Sequence, residues 1–219
     1  MQRRIFNQTS NPINDSCICA VGIVGSTHSG IFYLDPVRKK HYLLHLVVGK
    51  LVDQDATYGK KYLWGSPDIP EQRKGDFVAK AMLIRDKAKT KDIPYGYSSP
   101  VNFFDNQSGE IIKDNRNVGL TCSTLILAIF HMIGISIIDY SSWIYREEDK
   151  IKQLYYLEYM KKEGFFTKEH REKVKQQIEG FRYRPEEVVA AAVTPNEIRT
   201  MAELEPLGKE IVSMLSTSS

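Results

Sequence analysis

The chain has 219 residues, 42% of them hydrophobic and 11% aromatic, enough to bury one sizeable core plus an appendage, so one main domain is expected. Lys and Arg number 30 against 27 Asp and Glu, and a net charge of only +3 demands no polyanionic partner; beyond a mildly basic pI nothing in the composition supports nucleic-acid binding, and no such partner is expected. The longest apolar runs, at 18–24 and 125–138, are broken by Gly, His or Ser and fall short of the ~20 residues a membrane helix needs, so no membrane span is expected.

Residues 1–16 are polar and turn-rich and read as an N-terminal tail or a loosely attached first strand. Basic residues follow Met1, but no apolar signal core comes after them, and Cys17, Cys19 and Cys122 have no metal-ligand spacing. A cytoplasmic, reduced chain without metal or cofactor is the expectation. Cys17 and Cys19, two apart on one strand, should share a face. The run Cys17–Val24 suits a strand buried on both faces, Gly25–Gly30 a turn, and Ile31–Leu34 the next strand. Asp35–Lys40 then closes a hairpin into a third strand, Tyr42–Val48, on which His45 shares a face with Leu43 and Val47.

Residues 50–70, with Gly59, Gly65, Pro67 and Pro70, read as loop, and Trp64 within them is a weak candidate for a substrate groove, as is Tyr95 further on. Glu71–Lys91 has the pattern of an amphipathic helix, and 93–118 that of a long connection of the kind that forms binding loops. A glycine turn at Gly119 leads into the apolar helix 119–130, and Ile135–Asp139 reads as a short strand or buried turn. Composition changes near Tyr145. From there Glu, Lys and Gln dominate: two helices divided by Gly164, a third opened by Pro185, and a last one capped at Thr194–Glu197 and running to about Leu215. The expected units are therefore a tail (1–16), a main domain (17–145) and a helical C-terminal region (146–219) that offers a surface to a protein partner.

Cys122 opens the apolar helix. There the free backbone N–H groups and the positive end of the helix dipole favour a thiolate, and the N–H groups of Cys122 and Ser123 suit the oxyanion of an attacked carbonyl. A cysteine nucleophile needs a base and a group to orient that base. Of the five histidines, His170 lies in a charged run and reads as solvated surface, His131 is about 13 Å along the same helix from Cys122, and His41 sits at a hairpin corner. His28 and His45 remain, with His28 as base and His45 as orienter. A variant makes His45 the base and Asp53 or Gln54 the orienter.

The order His28-Ser-Gly-Ile-Phe-Tyr-Leu, then Tyr-Leu-Leu-His45-Leu on the next strand, then a cysteine at a helix start, resembles the circularly permuted papain-like families related to NlpC/P60, especially the lecithin:retinol acyltransferase-like group. The resemblance covers about residues 17–143. It implies an α+β fold, an antiparallel sheet packed on the nucleophile helix with a helical C-terminal extension, and a Cys122–His28–His45 thiol hydrolase acting on a peptide, isopeptide-like or ester bond of a peptide, protein or acyl substrate. The chain departs from the acyltransferase pattern around its cysteine: Thr121 precedes it and Ser123-Thr124 follow, closer to the Cys-Ser opening of amidase members. Residues 93–96, 119–122 and 182–188 are also similar to segments of uncharacterised bacterial proteins. Two other functions fit the same residues, an acyltransferase and a non-catalytic interaction protein with an inert core.

Overall fold

The computed structural model describes residues 5–24, 28–47, 50–56, 62–88, 93–97, 99–115, 118–178, 181–195 and 198–217. Residues 25–27 of the turn expected at Gly25–Gly30 lie outside them, as do Val48, Tyr58 and Gly59, while His28–Gly30 are strand rather than turn. Six strands form one antiparallel sheet: β1 (Phe6–Asn7), β2 (Cys19–Val24), β3 (His28–Asp35), β4 (Lys40–Val47), β5 (Lys50–Asp55) and β6 (Tyr62–Gly65), in the order β1-β6-β2-β3-β4-β5. The helices are α1 (Glu71–Ala88), α2 (Cys122–Met132), α3 (Glu147–Lys162), α4 (Lys168–Gln176), α5 (Pro185–Val193) and α6 (Met201–Thr217).

Period two sorts the strand residues between two cores. Cys19, Val21 and Ile23 of β2, Ile31 and Tyr33 of β3, and Leu44 and Leu46 of β4 face the helices. Ala20, Phe32 and Leu43 point the other way and pack with Tyr62 and Trp64. Because both faces are covered, β2 and β3 read as continuous apolar runs rather than alternating ones.

Two sequence expectations are corrected in this sheet. Residues 50–70 are not all loop, since β5 pairs Lys50–Asp55 with β4, and β6 inserts between β1 and β2. Their signal was weak because the sheet supplies what local pattern lacks: β5 borders β4 with three charged residues among its six, and β6 is four residues long. Cys17 and Cys19 do not share a face either. The strand begins at Cys19, so Cys17 lies before the pleat and packs against the smaller cluster while Cys19 sits in the main core.

Helix α2 is the centre of the helical layer, with nine of its 11 residues buried. It packs on β3 and β4 and against α1 and α5. Each fully buried Leu, Ile or Phe contributes roughly 1.5–3 kcal/mol, so α2 is held by its contacts rather than by intrinsic propensity, which its β-branched residues weaken. The Pro185-led helix α5 also enters this core through Val188–Val193, and it pairs with α6. Thus part of the C-terminal region completes the same core that the sheet and α2 build. The last helix starts later than Thr194–Glu197: Thr200 and Glu203 form a reciprocal cap, with Thr200 N donating to Glu203 Oε2 at 2.8 Å and Glu203 N donating to Thr200 Oγ1 at 3.4 Å. Asn196 and Glu197 lie outside the described residues.

Arg146 and Glu187, both buried, join α3 to α5, and Arg146 also donates from Nε to Asp149 Oδ2 at 2.7 Å. Arg184 Nε donates to the other oxygen of Asp149 at 2.8 Å. This ionic cluster ties the chain entering α3 to the chain entering α5. Removing one partner from such a buried group typically costs 3–5 kcal/mol, because the other charge is left unpaired.

Candidate active site

The N-terminus of α2 is fixed by local hydrogen bonds and by a short backbone pairing. Thr121 is the cap: its Oγ1 accepts from Thr124 N at 3.2 Å, while Thr121 N donates to Thr124 Oγ1 at 2.7 Å. The first helical bond runs from Leu125 N to Thr121 O. With Thr124 N taken by the cap, the N–H groups of Cys122 and Ser123 have no intrahelical acceptor and are free for an anion. Just before the cap, Leu120 bridges Tyr95, with Leu120 N donating to Pro94 O at 2.9 Å. Gly119 has φ +94°, and a Cβ there would press on the Pro94 backbone. Only glycine meets both demands, and the close approach sets Tyr95 beside Thr121 and Cys122.

The two histidines come from neighbouring strands. His28 starts β3 and His45 lies near the end of β4, on the same sheet face by period two. Between them stands Gly30, where a Cβ would come within 3.0 Å of His45 Cβ and 2.6 Å of Leu43 Cδ1. The missing side chain leaves room for the imidazoles, and His28 Nε2 lies 2.6 Å from His45 Nδ1. Burial first, and then the charge of His28, push His45 down from 6.5 to about 4, so it is neutral at physiological pH. When His28 carries two protons, its Nε2–H donates to His45 Nδ1, which must then be the unprotonated nitrogen; the proton of His45 sits on Nε2. With Nε2 of His28 engaged, Nδ1 is the nitrogen left for the thiol.

Cys122 is half-buried at the mouth of this pair. Burial raises its pKa, but the hydrogen bond and charge of His28 outweigh it, and the backbone N–H and hydroxyl of Ser29 add to the same effect. The net result lowers Cys122 from 9.0 to about 7. The Ser29 hydroxyl is fully buried and has no hydrogen-bonded partner otherwise among the described residues. Cys17 and Cys19 move the opposite way. Burial raises both, Cys19 to about 12.

A pocket of about 170 Å³ opens onto the thiol. His28, Thr121, Cys122 and Ser123 line it, together with Leu46 and Val47 of β4. Tyr95, Tyr156, Tyr159, Met160 and Arg182 also line it. The residues from α3 and from the segment before α5 were not legible as site residues in the sequence. Their charged surroundings mask them; the aromatic-basic run Arg182-Tyr183-Arg184 is the one signal that sets this stretch apart from a solvated helix.

Of the expected site residues, the fold brings together Cys122, His28, His45, Ser123 and Tyr95. Trp64 is elsewhere. It packs on Phe6 at a centroid distance of 5.0 Å in the smaller cluster and donates Nε1–H to Asn11 O at 3.0 Å. The variant with Asp53 or Gln54 as orienter has no geometry to support it: Asp53 accepts from Tyr33 Oη at 2.8 Å beside Arg85, and His45 Nε2 has no partner among the described residues. His170 is not simple solvated surface. Its Nε2 lies 2.7 Å from Tyr95 O, and its ring packs on Phe166, so α4 helps hold the pocket wall. His41 and His131 are spent on Cys17 O at 2.8 Å and Asn102 Oδ1 at 3.0 Å.

Among the described residues there is no group of three or more His, Cys, Asp or Glu side chains able to hold a metal ion, and no helix is long and apolar enough to cross a membrane. Comparisons with protein-family models, with curated proteins and with solved structures return no match.

Proposed function

We propose that the chain is a cysteine hydrolase of the permuted papain-like kind, cleaving an amide or ester through Cys122, His28 and His45. The single observation that carries this reading is the convergence of a lowered-pKa thiol at a capped helix start with a hydrogen-bonded imidazole pair, at the mouth of a pocket. A buried thiol that merely packed would have its pKa raised, as Cys19 does.

In the first step His28 Nδ1 takes the thiol proton, giving a thiolate and an imidazolium whose Nε2–H is held by His45. The sulfur attacks the carbonyl carbon; a C–S bond forms and the displaced electron pair settles on the carbonyl oxygen. The N–H groups of Cys122 and Ser123 donate hydrogen bonds to that oxyanion. Collapse expels the amine or alcohol, which leaves with the proton from His28. Water, deprotonated by His28, then attacks the thioester and the C–S bond breaks, restoring the thiolate and the imidazolium. Three free thiols accord with a reducing compartment.

The reading is tested by exposing the protein to a panel of activated esters and aminoacyl anilides and weighing the intact chain. A transient acyl adduct confined to Cys122 is expected, with turnover absent in Cys122→Ala and lowered by about 10²–10⁴ in His28→Ala. Turnover that survives in Cys122→Ala would overturn the assignment. An added amine or alcohol that captures the acyl group ahead of water would move the protein to acyl transfer.

A further inference from the structure

Three arginines stand behind the pocket, and they are not equally paired. Arg146 grips Glu187 with two nitrogens and Asp149 Oδ2 with a third. Arg184 holds Asp149 Oδ1 at 2.8 Å and Glu148 at 2.9 Å. Arg182 has one long contact, Nη1 to Asp149 Oδ1 at 3.3 Å, on an oxygen that Arg184 already occupies more closely. Its side chain is 9% exposed, and it is the only one of the three that lines the pocket.

The pocket's other polar groups accentuate that charge. Among the described residues no Asp or Glu lines it, and its other polar side chains include His28, Cys122 and four tyrosines. Two buried carboxylates face three guanidiniums, and the third negative charge comes from Glu148, which is 63% exposed and therefore screened by water. A poorly paired guanidinium in a tyrosine-walled recess has the shape and donor count to take a planar monoanion through two parallel N–H bonds.

We propose that Arg182 is a specificity-determining residue that binds a carboxylate on the substrate, beside an apolar or aromatic body packed against Tyr95, Tyr156 and Tyr159. This rests on Cys122 being the nucleophile of the proposed hydrolase, and it adds the class of substrate: an acyl or amide compound carrying a free carboxylate. A single cation favours a carboxylate over a dianionic phosphate.

The test uses alkylation of Cys122 in the full chain and needs no substrate. Two matched pairs of reagents are compared by mass spectrometry, iodoacetate against iodoacetamide and 3-maleimidopropionate against N-ethylmaleimide, which differ in charge and span two lengths. The ratio of acid to neutral rate at Cys122 is expected to fall about tenfold in Arg182→Gln for at least one pair, and to fall less in Arg182→Lys, which keeps the charge but not the two parallel N–H bonds. Acetate should protect Cys122 from the acidic reagent in an Arg182-dependent way. An unchanged ratio in Arg182→Gln overturns the proposal, and Arg182-dependent protection by inorganic phosphate in preference to acetate overturns the carboxylate. If Arg182→Gln unfolds, seen as Cys17 and Cys19 labelling as fast as Cys122, Arg182→Lys decides: a ratio equal to the wild type there, with the fold retained, sinks the idea. Slow labelling of wild-type Cys122 by all four reagents would instead remove the nucleophile itself, a different failure from the loss of charge preference alone.

Discussion

His28 and His45 stand 17 positions apart in the chain, and the hairpin of β3 and β4 joins them Nε2 to Nδ1 at 2.6 Å. In the proposed hydrolase a neutral histidine in this place would do what an amide or carboxylate does in other cysteine sites: fix the ring and the tautomer of the base. It differs in one respect. A carboxylate would stabilise the imidazolium by charge, whereas His45 offers only a lone pair, so an ion pair of Cys122 and His28 would depend more heavily on the helix N-terminus and on Ser29.

The thiol should titrate early. Cys122 is lowered from 9.0 to about 7 while burial raises Cys17 and Cys19, so iodoacetamide near pH 7 is expected to modify Cys122 almost exclusively. Its rate should rise with pH through a midpoint near 7, because the thiolate is the reacting form. Replacing His28 with Gln removes the largest lowering influence and should carry the midpoint upward, past the ordinary cysteine value, since burial then acts with less opposition. A midpoint that stays put in His28→Gln would detach the histidine from the thiol.

His45 makes a distinct acid signature. Its pKa is about 4 in the folded chain against an ordinary 6.5, so between these values the unfolded chain binds a proton that the folded chain refuses. The stability tied to neutral, buried His45 is therefore complete above about pH 6.5 and is lost as pH falls toward 4. Urea midpoints measured across this range should fall more steeply for the wild type than for His45→Gln, which has nothing to protonate there. Turnover should drop in the same variant, by roughly 10-fold or more if ring orientation is its task, while alkylation of Cys122 by a neutral reagent persists. Parallel stability curves would mean that His45 is not held neutral by the fold.

Glycines at two positions should respond oppositely to alanine. At Gly30 the new methyl meets Leu43 Cδ1 at 2.6 Å and His45 Cβ at 3.0 Å, an overpacking that costs about 1–3 kcal/mol and displaces the orienting histidine. Gly30→Ala is therefore expected to lower both the thermal midpoint and turnover. At Gly75, inside α1, a Cβ meets nothing within 4 Å, and alanine should stabilise by about 0.5–1 kcal/mol through helix propensity with turnover retained. Calorimetry on the two variants checks both directions; a Gly30→Ala chain as stable and as active as the wild type would show that the imidazole pair tolerates a shifted strand.

The sequence by itself determined the local pieces that carry chemistry. Apolar runs bounded by turns marked β2, β3 and β4; the Gly119–Leu120–Thr121 approach and the following apolar run marked α2 with Cys122 at its start; and Pro185 marked α5. Each of these signals depends on backbone φ, on period, or on free N–H groups within a few residues, which is information the chain holds locally. Tertiary structure decided what those pieces meet. Strands β5 and β6 exist because neighbours complete their ladders, and His170 is a pocket support because α4 reaches Tyr95 O. Trp64 left the site because β6 belongs to the other end of the sheet, and Arg182, Tyr156 and Tyr159 entered it because α3 and the start of α5 pack across the mouth of α2. Such contacts join residues tens of positions apart, and a charged helix carries the same sequence pattern whether its aromatic side chains face water or a thiol.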